Sequence, residues 1–61
     1  MKVTTSKGHI RVNNTQVGWS VEKNQQGGWE LLNFDDELVF TAKTKKVALA
    51  HYIDWYADNQ I

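Results

Sequence analysis

The placement of three tryptophans constrains the fold of this chain more than any other feature. Trp19 and Trp29 lie in stretches where apolar and polar residues alternate, whereas Trp55 lies in a stretch with helical spacing. A period of two is typical of a half-buried strand, and a period of 3.6 is typical of an amphipathic helix. Because each large aromatic side chain buries roughly 150–250 Å², we expect a core between a sheet and a helix.

The chain has 61 residues and no cysteine. A domain of this size buries only about 60% of its unfolded surface. Disulfides and thiolate metal sites are excluded, and the two histidines, His9 and His51, lie far apart in the sequence. We therefore expect one domain, residues 1–61, stabilised by packing and supplemented by self-association.

Four strand-like segments precede a single helical segment. The predicted strands are 5–12, 17–23, 29–34 and 38–41. The predicted turns are at Asn13-Asn14-Thr15, from Asn24 to Gly28, and at Asp35-Asp36, where Asn, Asp and Gly suit turn conformations. The predicted fold class is α+β, an antiparallel meander of three or four strands packed on one face by a single C-terminal helix.

The helical segment runs from about residue 44 to residue 58. Thr44 is the predicted N-cap, with Thr41 as the other candidate. One sector of the helix is apolar and must cover the sheet. It contains Ala48, Leu49, Tyr52, Ile53, Trp55 and Tyr56.

The sequence does not indicate an enzyme. The adjacent acids Asp35, Asp36 and Glu37 are typical of a solvated turn. His51, Asp54 and Asp58 share a region of the helix and have the side chains to hold a metal, but a solvated polar face is the favoured interpretation. We predict no catalytic residue, no metal site, no cofactor and no small-molecule substrate.

The charges sum to zero but are segregated along the chain. Lys43, Lys45 and Lys46 cluster where the helix begins, and Asp54 and Asp58 lie near its end. This polarity is opposite to the one that a helix dipole favours. Either these charges are screened and the lysines pair with the acidic turn 35–37, or the lysines and the free helix amides form an anion site.

The first predicted strand carries a row of hydrogen-bond donors. Lys7, His9 and Arg11 alternate with apolar residues and would project from one face of a regular strand. They are either the polar outer residues of a half-buried strand or a strip that contacts nucleic acid or an acidic partner.

The third predicted strand is apolar on both faces. If Leu32 and Phe34 meet the helix, Trp29 and Leu31 lie outward beside His9 and Arg11, and form an exposed patch of the kind that marks a binding surface. Alternatively, a bulge near Gly27-Gly28 turns Trp29 inward, or the N-terminal residues cover it.

No segment is typical of a targeting signal or of a membrane span, because the apolar runs are only a few residues long. With the lack of cysteine, this predicts a cytoplasmic protein with no membrane partner. The composition and the initial Met suggest a complete small product of bacterial or phage type.

Two short motifs carry a resemblance to known families. The segments Gly18-Trp19-Ser20-Val21 and Thr41-Ala42-Lys43-Thr44-Lys45-Lys46-Val47-Ala48 resemble an uncharacterised bacterial domain family with a Gly-Trp-x-Val strand and a Thr-x-x-x-Ala helix start. Over residues 9–57, the layout is also similar to the plant ethylene-response DNA-binding domain and the arm-binding domain of phage integrases. Those families place a three-stranded sheet in the DNA major groove.

The resemblance implies a DNA-contacting sheet with Arg11, and Lys7, as donors. The sequence departs from those families at Ser20, Glu22 and Glu30, where DNA-reading sheets carry basic residues.

The predicted function is therefore a small, non-enzymatic binding module. We expect it to contact a protein partner or a second copy of itself through the open face of the sheet. The alternative is nucleic-acid binding through that face or through the lysine cluster at the helix start. With so few cations, the alternative predicts weak binding with a shallow salt dependence.

Overall fold

A five-stranded antiparallel sheet carries one helix on one of its faces. The computed structural model describes residues 2–59. Neighbouring strands in the sheet are also neighbours in the sequence, so the sheet is a meander. The elements are β1 Val3–Ser6, β2 His9–Val12, β3 Thr15–Lys23, β4 Trp29–Leu32, β5 Leu38–Ala42 and α1 Lys45–Asp58. The predicted α+β class is confirmed, with five strands in place of three or four.

The additional strand arises because the predicted strand 5–12 is a hairpin. Lys7 and Gly8 have φ angles of 52° and 85°, and they form a two-residue connection between β1 and β2. Positive φ at both turn residues matches the twist of the flanking strands. The prediction of one continuous strand was wrong because lysine rarely adopts this conformation, so only Gly8 marked the turn.

Asparagine side chains organise the other connections. Asn13 and Asn14, with φ of 51° and 67°, connect β2 to β3 at the predicted turn. In the predicted loop between β3 and β4, the Oδ1 atom of Asn24 accepts hydrogen bonds from the backbone N–H groups of Gln26 and Gly28 at 2.9 and 2.8 Å. These bonds satisfy backbone N–H groups of the loop that have no partner in a neighbouring strand.

The longest strand, β3, is irregular at Gly18. The pairing with β2 shifts register between His9 and Arg11, which lie opposite Ser20 and Gln16. Gly18 lies in the segment that absorbs this difference and has a φ of 88°. A Cβ atom at this position would lie 3.2 Å from the Cβ of Phe34. Glycine is therefore favoured here both by the backbone conformation and by the close approach of a neighbour.

The helix begins after Thr44, as predicted. The Oγ1 atom of Thr44 accepts a hydrogen bond from the Val47 N–H at 3.2 Å, and Thr44 itself is extended. At the other end, the Asn59 N–H donates to the carbonyl of Trp55 at 3.0 Å. The Thr44 side chain thus satisfies one free N–H group at the start of the helix, and the Asn59 backbone satisfies a free carbonyl at its end.

The core lies between α1 and the sheet. The ring of Trp19 lies 5.1 Å from that of Tyr52 and 4.5 Å from that of Trp55, measured between centroids. The buried hydrophobic residues are Ile10, Val12, Trp19, Val21, Leu31, Ala42, Ala48 and Tyr52. The predicted inner sector of the helix is confirmed, because its six residues are buried or half-buried.

Candidate functional site

The face of the sheet opposite the helix carries an apolar patch. Ser20 pairs with Leu32 across β3 and β4, and Leu38 of β5 lies opposite Leu32 at an irregularity where the register shifts between Leu31 and Leu32. Directly paired residues project from the same face. Because Leu31 belongs to the core, its neighbour Leu32 points to the uncovered side.

Phe34 extends this patch beyond the end of β4. Its Cβ atom approaches Gly18, one pleat further along β3 than Ser20. We call Leu32, Phe34 and Leu38 the open-face patch. Phe34 is 65% exposed and Leu38 is 57% exposed, and Val39 beside them is 39% exposed. Exposed large apolar side chains that cluster in this way are typical of an interaction surface.

A rigid turn holds the two most exposed members of the patch. The Oδ1 atom of Asn33 accepts hydrogen bonds from the N–H groups of Asp35 and Glu37 at 2.9 and 3.0 Å. Asp36 has a φ of 60°. Phe34 therefore lies within a turn that is fixed by hydrogen bonds, and Leu38 directly follows it, which lowers the entropy that binding would cost.

The predicted outward placement of Trp29 and Leu31 is wrong. Trp29 pairs with Lys23, and Leu31 pairs with Val21, on the side of the sheet that the helix covers. Leu31 is fully buried, and Trp29 is half-buried against the core. Trp29 does lie inward, but the cause is the regular pairing of Trp29 with Lys23 and of Leu31 with Val21, and not the predicted bulge near Gly27-Gly28. The residues predicted to meet the helix, Leu32 and Phe34, instead lie on the open face, where Leu32 is half-buried and Phe34 is exposed.

The predicted donor row on the first strand is interrupted. Lys7 lies in the β1–β2 turn, so it does not continue the row of His9 and Arg11. His9 is exposed, whereas Arg11 is half-buried and its Nη2 group donates a hydrogen bond to the Asn14 carbonyl. His9 and Arg11 do project from the open face, because Ile10 and Val12 between and beside them are buried.

Two acids lie directly opposite each other on the same open face. Glu22 of β3 pairs with Glu30 of β4. Like charges in this position repel each other and destabilise the pair of strands. The open face therefore has a negative side on β3 and β4 and a positive side at Arg11 on β2.

The lysines at the helix start do not form one cluster. Lys45 is half-buried and its Nζ atom lies 5.7 Å from the centroid of the Trp29 ring, within the range of a cation–π contact. Lys46 borders a groove beside β1, whereas Lys43 borders a separate depression near Gly28.

Pairing of Lys43 with the acidic turn at residues 35–37 is excluded by the fold. The turn precedes β5 and Lys43 follows it, and the five residues of this strand span about 16 Å.

The residues considered for a metal or for acid–base chemistry do not converge. The ring of His51 stacks on that of Phe40 at a centroid distance of 4.1 Å, with 3° between the planes, while Asp54 and Asp58 are exposed. Within residues 2–59, no group of three or more His, Cys, Asp or Glu side chains is arranged to hold a metal ion.

Comparison with protein-family models, with curated proteins and with solved structures found no significant match. In the described part of the chain, no helix combines the length and the apolar character that a membrane crossing requires. The function is therefore inferred from the geometry of the surface.

Proposed function

We propose that this chain is a non-enzymatic protein-interaction module that acts in the cytoplasm and contacts its partner through the open-face patch. The observation that carries this proposal is the exposure of Phe34 and Leu38 on the face that the helix leaves uncovered. Burying each of these side chains at an interface would contribute about 1.5–3 kcal/mol. The partner that we favour is a second copy of this chain.

The charges on the open face favour a second copy. Arg11 lies on β2, and the pair Glu22 and Glu30 lies on β3 and β4 of the same face. In a two-fold dimer, the same surface of each copy meets its counterpart. An antiparallel arrangement places the arginine of one copy near the acids of the other, and this relieves the repulsion between the two glutamates.

The edge of the sheet next to the patch also suits pairing with another chain. The outer edge of β5 has no neighbouring strand within residues 2–59. The strand itself, Leu38–Ala42, contains no charged residue and no proline, which are the usual protections of an exposed edge. A net charge of zero adds no long-range repulsion between copies.

Nucleic-acid binding by the open face has weaker support. Lys7 is displaced into a turn, and Glu22 with Glu30 would face the phosphates. Binding that depends on phosphate contacts needs several free cations on one surface. If the chain binds duplex DNA through this face, the affinity will be low and will fall little as salt is raised.

The proposal is tested by sedimentation equilibrium of the full chain between about 10 µM and 1 mM, a range set by the expected modest affinity. We expect a reversible dimer. Phe34→Ser and Leu38→Ser should each weaken dimerisation about tenfold or more, because each removes a large buried apolar side chain from the interface.

Val47→Ser is the matched control. Val47 is 48% exposed, but it lies on α1, so its loss should leave the dimerisation constant unchanged. A chain that stays monomeric at 1 mM, or a dimer that Val47→Ser weakens as much as Phe34→Ser, would show that this surface does not mediate self-association.

A further inference from the structure

A groove on the other side of the molecule has a different chemical character. It lies between α1 and the edge strand β1 and has a volume of about 560 Å³. Its apolar lining comes from Val3, Leu49, Ala50 and Ile53, and Lys45 and Lys46 border it. Val3 and Leu49 pack against the core, so the floor of the groove is continuous with the hydrophobic interior. We call this the helix–β1 groove.

The size of the groove fits a small ligand and not a protein segment. Binding sites for small molecules typically have volumes of about 300–1,000 Å³. Along the helix, the lining extends from Lys45 to Ile53, which is about 12 Å at a rise of 1.5 Å per residue. A stable protein interface needs roughly 800 Å² from each partner, and two turns of one helix do not supply it.

The lysines at the groove indicate that a ligand would carry a negatively charged polar group. Lys45 and Lys46 occupy the first turn of α1, where no acidic side chain lies. Lys45 borders the groove and also makes a cation–π contact with Trp29, which is not part of the lining, and Lys46 is exposed beside it. An apolar trough bordered by two lysines in the first helical turn is complementary to an alkyl chain with one carboxylate.

We propose that the helix–β1 groove binds a small amphipathic carboxylate, with the alkyl chain along Leu49 and Ile53 and the carboxylate at Lys45 and Lys46. The carboxylate also lies where the reversed charge polarity of the helix is least favourable, so it offsets the two positive charges in the first turn. This site is separate from the open-face patch, so the proposed binding does not depend on the proposed function.

The test is a titration of the ¹⁵N-labelled full chain with octanoate, followed by amide chemical shifts in two-dimensional NMR spectra. Saturable shifts should be largest in the helix from Lys45 to Ile53 and at Val3. Octan-1-ol, which has the same chain without the charge, should bind about fivefold more weakly, because the contribution of exposed ion pairs is modest.

Two kinds of variant separate the head group from the chain. The double variant Lys45→Gln with Lys46→Gln should remove the preference for octanoate over octan-1-ol, whereas Lys43→Gln, which does not border the groove, should retain it. Ala50→Leu fills the groove without disturbing a buried residue, and it should weaken both ligands about tenfold. Phe34→Ser should change neither affinity.

Three results would each overturn the proposal. The first is the lack of a saturable shift at millimolar octanoate. The second is a set of shifts centred on Phe34 and Leu38, and the third is equal binding of octanoate and octan-1-ol that the lysine substitutions do not alter.

Discussion

The two faces of β4 show how one short strand serves two purposes. Leu31 faces the helix and is completely buried, whereas Leu32, the next residue, faces the side that no element within residues 2–59 covers. Beyond it, Phe34 is 65% exposed. The inner face has a network of aromatic side chains around Trp19, and the outer face has an apolar patch beside opposed charges. The same residue type therefore stabilises the fold on one face and is available for binding on the other.

The difference follows from pairing and not from hydrophobicity. Leu31 is buried because it lies opposite Val21, which faces the helix. A shift of one residue in the pairing would exchange the two faces of β4. An apolar side chain that the fold does not bury remains exposed to water unless a partner covers it, and this is why we assign the outer face to binding.

The largest expected effect is a difference in stability between variants on the two faces of the sheet. Leu31→Ala removes a fully buried side chain and should lower the free energy of unfolding by about 2–5 kcal/mol, enough to unfold much of a marginal domain. Leu38→Ala, on the exposed face, should change it by less than about 0.5 kcal/mol. Urea unfolding of dilute samples, followed by tryptophan fluorescence, measures both. Equal losses for the two variants would contradict the assignment of the faces.

A smaller effect is expected where the patch touches the bulged strand. Gly18→Ala places a Cβ atom 3.2 Å from the Cβ of Phe34, at a φ of 88°, and should cost about 1–3 kcal/mol.

Gly27→Ala is the matched control for this effect. Gly27 has a φ of 85°, but a Cβ atom there meets no atom within 4 Å, so this variant carries only the backbone cost of about 1 kcal/mol. The difference between the two unfolding free energies reports the contact with Phe34. If Gly27→Ala is the more destabilising variant, Phe34 does not lie against Gly18.

The smallest effect concerns the inner face at high pH. Burial raises the pKa of the Tyr52 phenol above its ordinary value of 10.0, and the nearby Tyr56 raises it further. Above pH 10, the unfolded chain ionises this group before the folded chain does, so stability present at lower pH is lost as the pH rises through the folded-state pKa.

Tyr52→Phe should remove part of this loss of stability as the pH is raised above about 10. Tyr56→Phe removes only the smaller of the two causes of the raised Tyr52 pKa, so it should change the slope less than Tyr52→Phe does. Thermal unfolding at a series of pH values measures the slope. An unchanged slope in Tyr52→Phe would show that this phenol titrates normally in the folded chain.

The helix was predictable from the sequence because its signals are local. Thr44 provides the cap, and the spacing of Ala48, Tyr52 and Tyr56 marks the inner side. These features depend on residues within a few positions of one another. The turns at Asn13-Asn14 and after Asn24 were predictable for the same reason, because their signals are also local.

The open-face patch was not predictable, because it depends on pairing between distant segments. Trp29 and Leu31 alternate with Glu30 and Leu32, and alternation alone does not say which set the helix covers. The pairing of Lys23 with Trp29 decides it. The one available signal was the apolar character of Leu32 and Phe34 on the same side of the strand, which indicated that one face would be left uncovered.

The most direct test of the central claim is an isotope-filtered NOE experiment on a mixture of labelled and unlabelled chains at millimolar concentration. We predict NOEs between molecules from the Phe34 ring and the Leu38 methyl groups, and none from the buried methyl groups of Leu31. NOEs between molecules that centre on Val47 and the exposed side of α1, or a complete lack of them at this concentration, would contradict the account.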